Sequence, residues 1–154
     1  MAELDAGAKA PDFEMAGAEG PVRLADFAGK ALVLYFYPKD DTSGCTKEAQ
    51  DFSALSADFA AAGALVLGVS KDSVASHGKF TAKYGLSVPL ASDPEGAALE
   101  AYGTWVEKSM YGRKYMGIER STFLVDGGGM IRRIWRKVKV PGHAAEVLAA
   151  LKAL

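Results

Sequence analysis

Residues 31–50 read ALVLYFYPKDDTSGCTKEAQ, and the change of character along this stretch decides the fold. Ala31 to Tyr37 are apolar or aromatic and rich in β-formers, with Gly29-Lys30 before them and Pro38 after. A run of this length, apolar throughout rather than alternating, predicts a central strand buried on both faces. It is far too short to span a bilayer. The turn-rich PKDDTSG comes next, then a helix predicted from about Cys45 to Ala62. Its apolar residues Ala49, Phe52, Leu55, Phe59 and Ala62 fall at helical spacing, and Gly63 is its stop. A strand that ends in a helix-opening turn puts that turn at the carboxyl edge of a sheet, where open α/β sheets place their ligand chemistry. The turn leads into Cys45, the one cysteine of the chain.

Outward from there, ALVLGVS (64–70) predicts a second buried strand, and Ser73 can cap a helix that runs through Tyr84 and closes at Gly85. A short strand near Val88 to Ala91 leads to a helix from Pro94 to Tyr102, with Asp93 as its cap. Trp105 to Gly117 reads as polar, aromatic and irregular. STFLVD (121–126), Gly127 to Gly129 and MIRRIWRKV (130–138) read as strand, tight turn and strand, and Gly142 to Leu154 as an amphipathic helix. At the front, DFEMAG (12–17) and VRL (22–24) flank Glu19-Gly20-Pro21 as a small hairpin. The order predicts one α/β domain over residues 1–154. Its two central strands should be parallel through a right-handed crossover, with an antiparallel side from the last hairpin and helices on both faces.

The 154 residues are 49% hydrophobic, enough for one core without staples. Eighteen basic against nineteen acidic residues give a formal charge of -1, which exerts no global pull toward nucleic acid or an anionic membrane. A single cysteine forms no internal disulfide, so a reducing, cytoplasmic setting is the simpler expectation. The first twenty residues show no basic start followed by an apolar run, so no signal peptide is expected.

Free amides in the first turn of a helix favour negative charge, so a thiol there ionises more readily. Thr42 can bring a hydroxyl near the sulfur, and Gly44 permits close backbone approach. Ionisation alone is a limited gain. A thiol of ordinary pKa is about 3% ionised at pH 7, so complete ionisation gains roughly thirtyfold at most. A catalyst must also stabilise charge that develops as a bond breaks, and arginine has the geometry for that. Glu48, about one turn down the same helix, would oppose the thiolate unless a cation neutralises it. An arginine would then hold Glu48 and face the sulfur. Against this stands the commoner fate of a free cysteine, that of a small buried hydrophobe. The polar neighbours Ser43, Gly44, Thr46 and Lys47 speak for the reactive reading.

His77 and His143 could serve a Cys-dependent hydrolase, but neither has a recognisable nucleophile context, and surface positions are expected for both. Cys45 has no Cys or His at metal-ligand spacing. Gly127 to Gly129 lacks the Lys-Ser/Thr of a phosphate loop. Arg132, Arg133, Arg136, Lys137 and Lys139 suit the exposed side of an edge strand better than a nucleic-acid patch. Met110, Tyr111, Tyr115 and Met116 read as a flexible apolar surface near the site, fit to cover a substrate, receive a reducing protein or simply pack the loop.

Pro38-x-x-x-Thr42-x-x-Cys45 resembles the active-site motif of the peroxiredoxins. The run YFYPKDDTSGCTKEA (35–49) is similar to the subgroup called bacterioferritin comigratory protein, or peroxiredoxin Q. GAKAPDF (7–13), GIERSTFL (117–124) and WRKV (135–138) agree, so the resemblance runs over essentially the whole chain. It implies a thioredoxin-like fold, with a central mixed β-sheet flanked by helices and an N-terminal β-hairpin, that reduces hydrogen peroxide and organic hydroperoxides. Cys45 would be the peroxidatic cysteine, Thr42 would orient the peroxide, Pro38 would shield the sulfur, and Arg120 would be the cation. No metal, flavin or haem cofactor is implied, and a monomer is favoured. Three positions depart from the pattern. Gln50 and Thr81 stand where resolving cysteines are found, and Ser43 where proline is common, its hydroxyl a possible helix cap. The sulfenic acid would then be met by an outside thiol such as thioredoxin, glutaredoxin or glutathione, unless a resolving cysteine has been replaced by design. A non-catalytic redox sensor or chaperone-like binder on the same fold is the rival. The family unwinds the first turn of this helix on oxidation. Without an internal partner the helix start should persist, and overoxidation should come more easily.

Overall fold

The structure, a computed structural model, describes residues 4–154. Residues 1–3, included in the expected domain span and the signal-peptide reading, lie outside the described residues. The chain forms β1 (Glu14–Gly17), β2 (Gly20–Arg23), a 3-10 turn (Leu24–Phe27), β3 (Ala31–Phe36), α1 (Ser43–Ala54), α2 (Ser56–Ala61) and β4 (Ala64–Ser70). There follow α3 (Val74–Tyr84), β5 (Leu90–Ser92), α4 (Ala97–Ala101), β6 (Trp105–Met110), β7 (Arg113–Ile118), β8 (Ser121–Val125), β9 (Ile131–Trp135) and α5 (His143–Lys152).

A seven-stranded sheet runs in the order β2-β1-β5-β4-β3-β8-β9. β3, β4 and β5 are mutually parallel, and β8, β9, β1 and β2 add the antiparallel margins. The expected parallel centre, the late antiparallel hairpin and the front hairpin are all present. β3 is buried on both sides because its alternate residues feed two cores. Val33, Tyr35 and Tyr37 pack with Phe52, Phe59, Phe80 and Val147 on the α1, α2, α3 and α5 side. Leu32, Leu34 and Phe36 pack with Phe13, Met15, Leu99, Tyr102 and Phe123 on the other. Full burial of one such side chain is worth about 1.5–3 kcal/mol, so this strand anchors the carboxyl edge from which the active-site turn hangs. Gly68, opposite Tyr35 in β4, makes room for that ring. A Cβ there would lie 2.6 Å from the tyrosine Cζ.

Three expectations are corrected. The helix expected to run to Ala62 breaks at Leu55 (φ −100°, ψ 6°) into α1 and α2, and it begins at Ser43 rather than Cys45. The helix expected from Pro94 begins only at Ala97, after a left-handed Gly96 (φ 79°), while the Asp93 carboxylate accepts from the Leu99 amide at 2.9 Å. Asp93 thus acts deep in the short helix instead of capping a longer one. Trp105 to Gly117 is not irregular: β6 and β7 pair in register from Trp105–Ile118 to Met110–Arg113. Both faces of this ladder are largely solvated, so the apolar alternation that marks a half-buried strand is missing. Gly85 closes α3 in the left-handed conformation (φ 61°) as expected.

Candidate active site

The turn Pro38 to Thr42 leaves the carboxyl end of β3 and delivers the chain to α1. Thr42 is the N-cap by backbone geometry (φ −100°, ψ 155°), and the first intrahelical bond runs from the Thr46 amide to the Thr42 carbonyl at 2.8 Å. The amides of Ser43, Gly44 and Cys45 precede it, so the helix opens with the unpaired donors of a first turn beside the thiol. Neither hydroxyl of this turn caps the helix. The Thr42 hydroxyl donates to the Lys39 carbonyl at 2.9 Å, and Ser43 is already helical, which corrects the cap expected there. Pro38 is half-buried at the head of the turn. Cys45 is buried, 1% exposed, and packs with the α-side core, so its polar sequence neighbours do not bring it to the surface.

Arg120 enters from the link between β7 and β8. Its Nη1 donates to Glu48 Oε1 at 2.6 Å and its Nη2 to the Cys45 sulfur at 3.4 Å. One planar fork thus meets both groups that charge reasoning placed in need of a cation. Glu48 is 1% exposed, and its Oε2 has no protein hydrogen-bond partner among the described residues. Burial outweighs the ion pair here and pushes the Glu48 carboxyl up to about 7, although Arg120 pulls it down. For Arg120 the balance is reversed. Desolvation acts against its charge, but the Glu48 and Cys45 charges prevail and its pKa rises above the ordinary arginine value. Gly44 is where the guanidinium passes the helix: a Cβ there would lie 3.1 Å from Nη2. On β6, burial and then the like charge of Arg120 hold the Lys108 ammonium below the usual lysine range.

Two carboxylates fasten the turn to α3. Asp41, in the left-handed region at φ 57°, accepts from Lys83 Nζ at 2.8 Å and from the Tyr84 hydroxyl. Asp40 is buried among Tyr37, Ser76 and His77. The expected surface histidines are therefore corrected. His77 is 4% and His143 6% exposed. His143 Nε2 pairs with the Thr122 hydroxyl at 2.8 Å, and its ring packs edge-on to Phe52 and Trp135. Burial lowers its pKa to about 4. Sequence reasoning missed the tether through His77, although His77, Phe80 and Tyr84 share a helical stripe that marks an inward face.

Two further groups of residues singled out in the sequence are located by contact and exposure. β9 is an edge strand. Arg132 reaches Asp126, Arg133 lies over Trp135, and Arg136 donates to the Tyr102 and Gly103 carbonyls, so these basic residues are engaged within the fold. Met110, Tyr111, Tyr115 and Met116 are exposed on the β6–β7 ladder. Among the described residues no helix is long and apolar enough to cross a membrane.

A buried sulfur at a helix start, faced by a guanidinium, is the equipment of a nucleophilic thiol. Comparison with known proteins agrees. The family model described as AhpC/TSA family matches residues 6–134. Peroxiredoxin Bcp of Bacillus subtilis is 50% identical over 150 residues, which cover 97% of this chain and 96% of that protein. Peroxiredoxin Bcp of Xanthomonas campestris is 57% identical over 130 residues, covering 84% of this chain and 81% of that protein. Among solved structures, Xanthomonas campestris bacterioferritin comigratory protein, in a study of its alkyl peroxide reduction activity, superposes with a TM-score of 0.90 at 50% identity, over 97% of this chain and 98% of that one. A mutant of Xylella fastidiosa PrxQ gives 0.93 at 42% identity, over 99% and 98%. The chain belongs to the peroxiredoxins of the AhpC/TSA family, in the Bcp or peroxiredoxin Q subgroup. It is a thiol-dependent peroxidase on a thioredoxin-like fold, an antioxidant enzyme that takes peroxides as substrates and a thiol as reductant.

Proposed function

We propose that Cys45 is the peroxidatic cysteine and that it works alone, returned to the thiol by a reductant from outside the chain. The observation that carries this is the Arg120 fork, with one nitrogen 3.4 Å from the Cys45 sulfur and the other on Glu48. The thiolate attacks one peroxide oxygen in line, the O–O bond breaks, and hydroxide or alkoxide leaves and takes a proton. Cys45 becomes a sulfenic acid. Arg120 stabilises charge as it moves from sulfur to the departing oxygen. The Thr42 hydroxyl donates its hydrogen bond to the Lys39 carbonyl, which leaves its oxygen lone pairs to accept from the peroxide O–H. Pro38 shields the sulfur and denies the turn a competing N–H donor.

Hydrogen peroxide and organic hydroperoxides are the substrates of this reading. Among the residues present, Gln50 and Thr81 stand where resolving cysteines would be, so the sulfenic acid condenses with an outside thiol, which a second thiol then releases. Thioredoxin, glutaredoxin and glutathione are the chemical candidates, in reducing cytoplasmic surroundings, with the enzyme a monomer. Steady-state peroxide loss is the test, run with thioredoxin and then with glutathione plus glutaredoxin. Turnover with at least one system, abolished by Cys45→Ser, is expected. Oxidation that stops after one equivalent with every reductant would make the protein a sensor instead.

A further inference from the structure

The turn before α1 is strained and held from outside. Asp41 occupies the left-handed region, which an L residue adopts at a cost unless its surroundings fix it. The stronger anchor is its neighbour. Asp40 is 7% exposed, and its carboxylate meets three partners: Tyr37 Oη donates to Oδ1 at 2.6 Å and Ser76 Oγ to Oδ2 at 2.7 Å, and His77 Nδ1 lies 2.8 Å from Oδ2. Its own amide donates to Asp72 Oδ2 at 2.8 Å, and the Ser70 hydroxyl holds that oxygen at 2.7 Å. Across the ring, His77 Nε2 lies 3.0 Å from the Ala91 carbonyl in β5. A carbonyl oxygen only accepts, so Nε2 is the nitrogen that donates to Ala91, while Nδ1 faces Asp40 Oδ2. The His77 ring thus ties β5 through α3 to the turn.

Neither Asp40 nor His77 hydrogen-bonds Cys45 or Arg120. Yet Asp40 lies two residues before Thr42, whose hydroxyl bonds back to Lys39 and whose carbonyl starts α1. Any shift of Asp40 passes through two peptide units to the helix start. A buried polar pair of this kind is a poor source of stability compared with apolar residues of the same volume, but it fixes one geometry. We propose that Asp40 and His77 are positioning residues for peroxide reduction, locking the turn that sets Thr42 and the first turn of α1 against the substrate. The inference rests on Cys45 as the peroxidatic centre.

The test is the single-turnover rate of oxidation of the reduced protein by hydrogen peroxide. An asparagine amide stands near Nδ1 of the histidine it replaces, and a glutamine amide near Nε2. His77→Asn keeps the link to Asp40 and should lose about threefold, whereas His77→Gln keeps the link to Ala91 and should lose about thirtyfold. A merely structural role would order the two variants by melting temperature, not by which nitrogen is retained. A folded His77→Gln protein at the wild-type rate overturns the inference, and so does equal loss in both variants. If His77→Gln does not fold, Ser76→Ala decides: a loss of about threefold supports the inference and an unchanged rate removes it. Cys45→Ser run alongside separates the two readings. If that variant still consumes peroxide, the peroxidatic assignment fails and the inference goes with it. If it is inert while the His77 variants are all fast, only the positioning claim falls.

Discussion

Arg120 Nη2 donates to the sulfur of Cys45 at 3.4 Å, though the two residues lie 75 positions apart in the chain. The same guanidinium spends Nη1 on Glu48, so its orientation is set by a carboxylate one turn below the thiol. A lysine carries the charge but not the fork, and cannot serve both partners in one plane. Arg120→Lys should therefore slow peroxide reduction by about 10²-fold, close to the loss in Arg120→Ala. Stability should also suffer, since removing one partner of a buried pair costs about 3–5 kcal/mol. Arg120→Ala should then cost stability as well as rate. Its deficit should widen above pH 7, where the uncompensated Glu48 must ionise. Oxidation kinetics and urea melts at pH 6 and 8 check both parts. A lysine variant within threefold of wild type would mean that charge alone suffices.

Gly44 supplies a finer probe of the same contact. An alanine Cβ would meet Nη2 at 3.1 Å and Cζ at 3.8 Å, so the guanidinium must give way by a few tenths of an ångström. In the first turn of a helix alanine is otherwise favoured, by up to about 1 kcal/mol. Gly44→Ala should thus leave the melting temperature level or higher while cutting the peroxide rate about tenfold. A variant that is both more stable and fully active would show that the position of the fork is uncritical.

Glu48 and His143 titrate in opposite senses over one pH range. The folded state holds the Glu48 proton more tightly than the unfolded chain between 4.5 and about 7, so its contribution to stability falls as pH rises through that window. The folded state holds the His143 proton less tightly between about 4 and 6.5, so its contribution is full above 6.5 and lost as pH falls. Each amounts to something on the order of 3 kcal/mol, and they offset where the windows overlap. Wild-type stability should be nearly level from pH 4.5 to 6.5. Glu48→Gln should make it rise with pH, and His143→Asn should make it fall. Parallel denaturant titrations of the three proteins give the slopes, and identical slopes would remove both groups from the account.

The central strands were legible because burial on both faces leaves an unbroken apolar run, as in ALVLYFY and ALVLGVS. The candidate site's charge arrangement was legible from chemistry: a carboxylate below a helix-opening thiol needs a cation, and the resemblance supplied Arg120, which the structure brings to both groups. The break at Leu55 was not legible, since the apolar spacing continues through α2 without a glycine or proline to mark the bend. The β6–β7 ladder was hidden because solvent on both faces erases alternation. The buried histidines were hidden because their partners, Asp40 and Thr122, lie 37 and 21 residues away. Local pattern carries no trace of such pairing.

Burial of Cys45 changes the expected balance between recycling and damage. A peroxide is small, whereas a protein thiol or glutathione can meet a sulfur that is 1% exposed only after the first turn of α1 opens. While the turn stays closed, the sulfenic acid is open to a second peroxide and unavailable to the reductant, so sulfinic acid should accumulate early under graded peroxide. Gln50→Cys tests this directly. Five residues of α-helix separate the two positions by about 7.5 Å of rise, beyond the span a disulfide accepts without backbone movement. A Cys45–residue 50 disulfide therefore forms only if the first turn unwinds, and its rate of formation reports that opening. Mass spectrometry after matched peroxide doses should show the disulfide in the variant and several-fold less sulfinic acid than in wild type. If the variant overoxidises as readily as the parent, the turn does not open on the timescale of the second oxidation, and an outside thiol must reach the sulfur by another route.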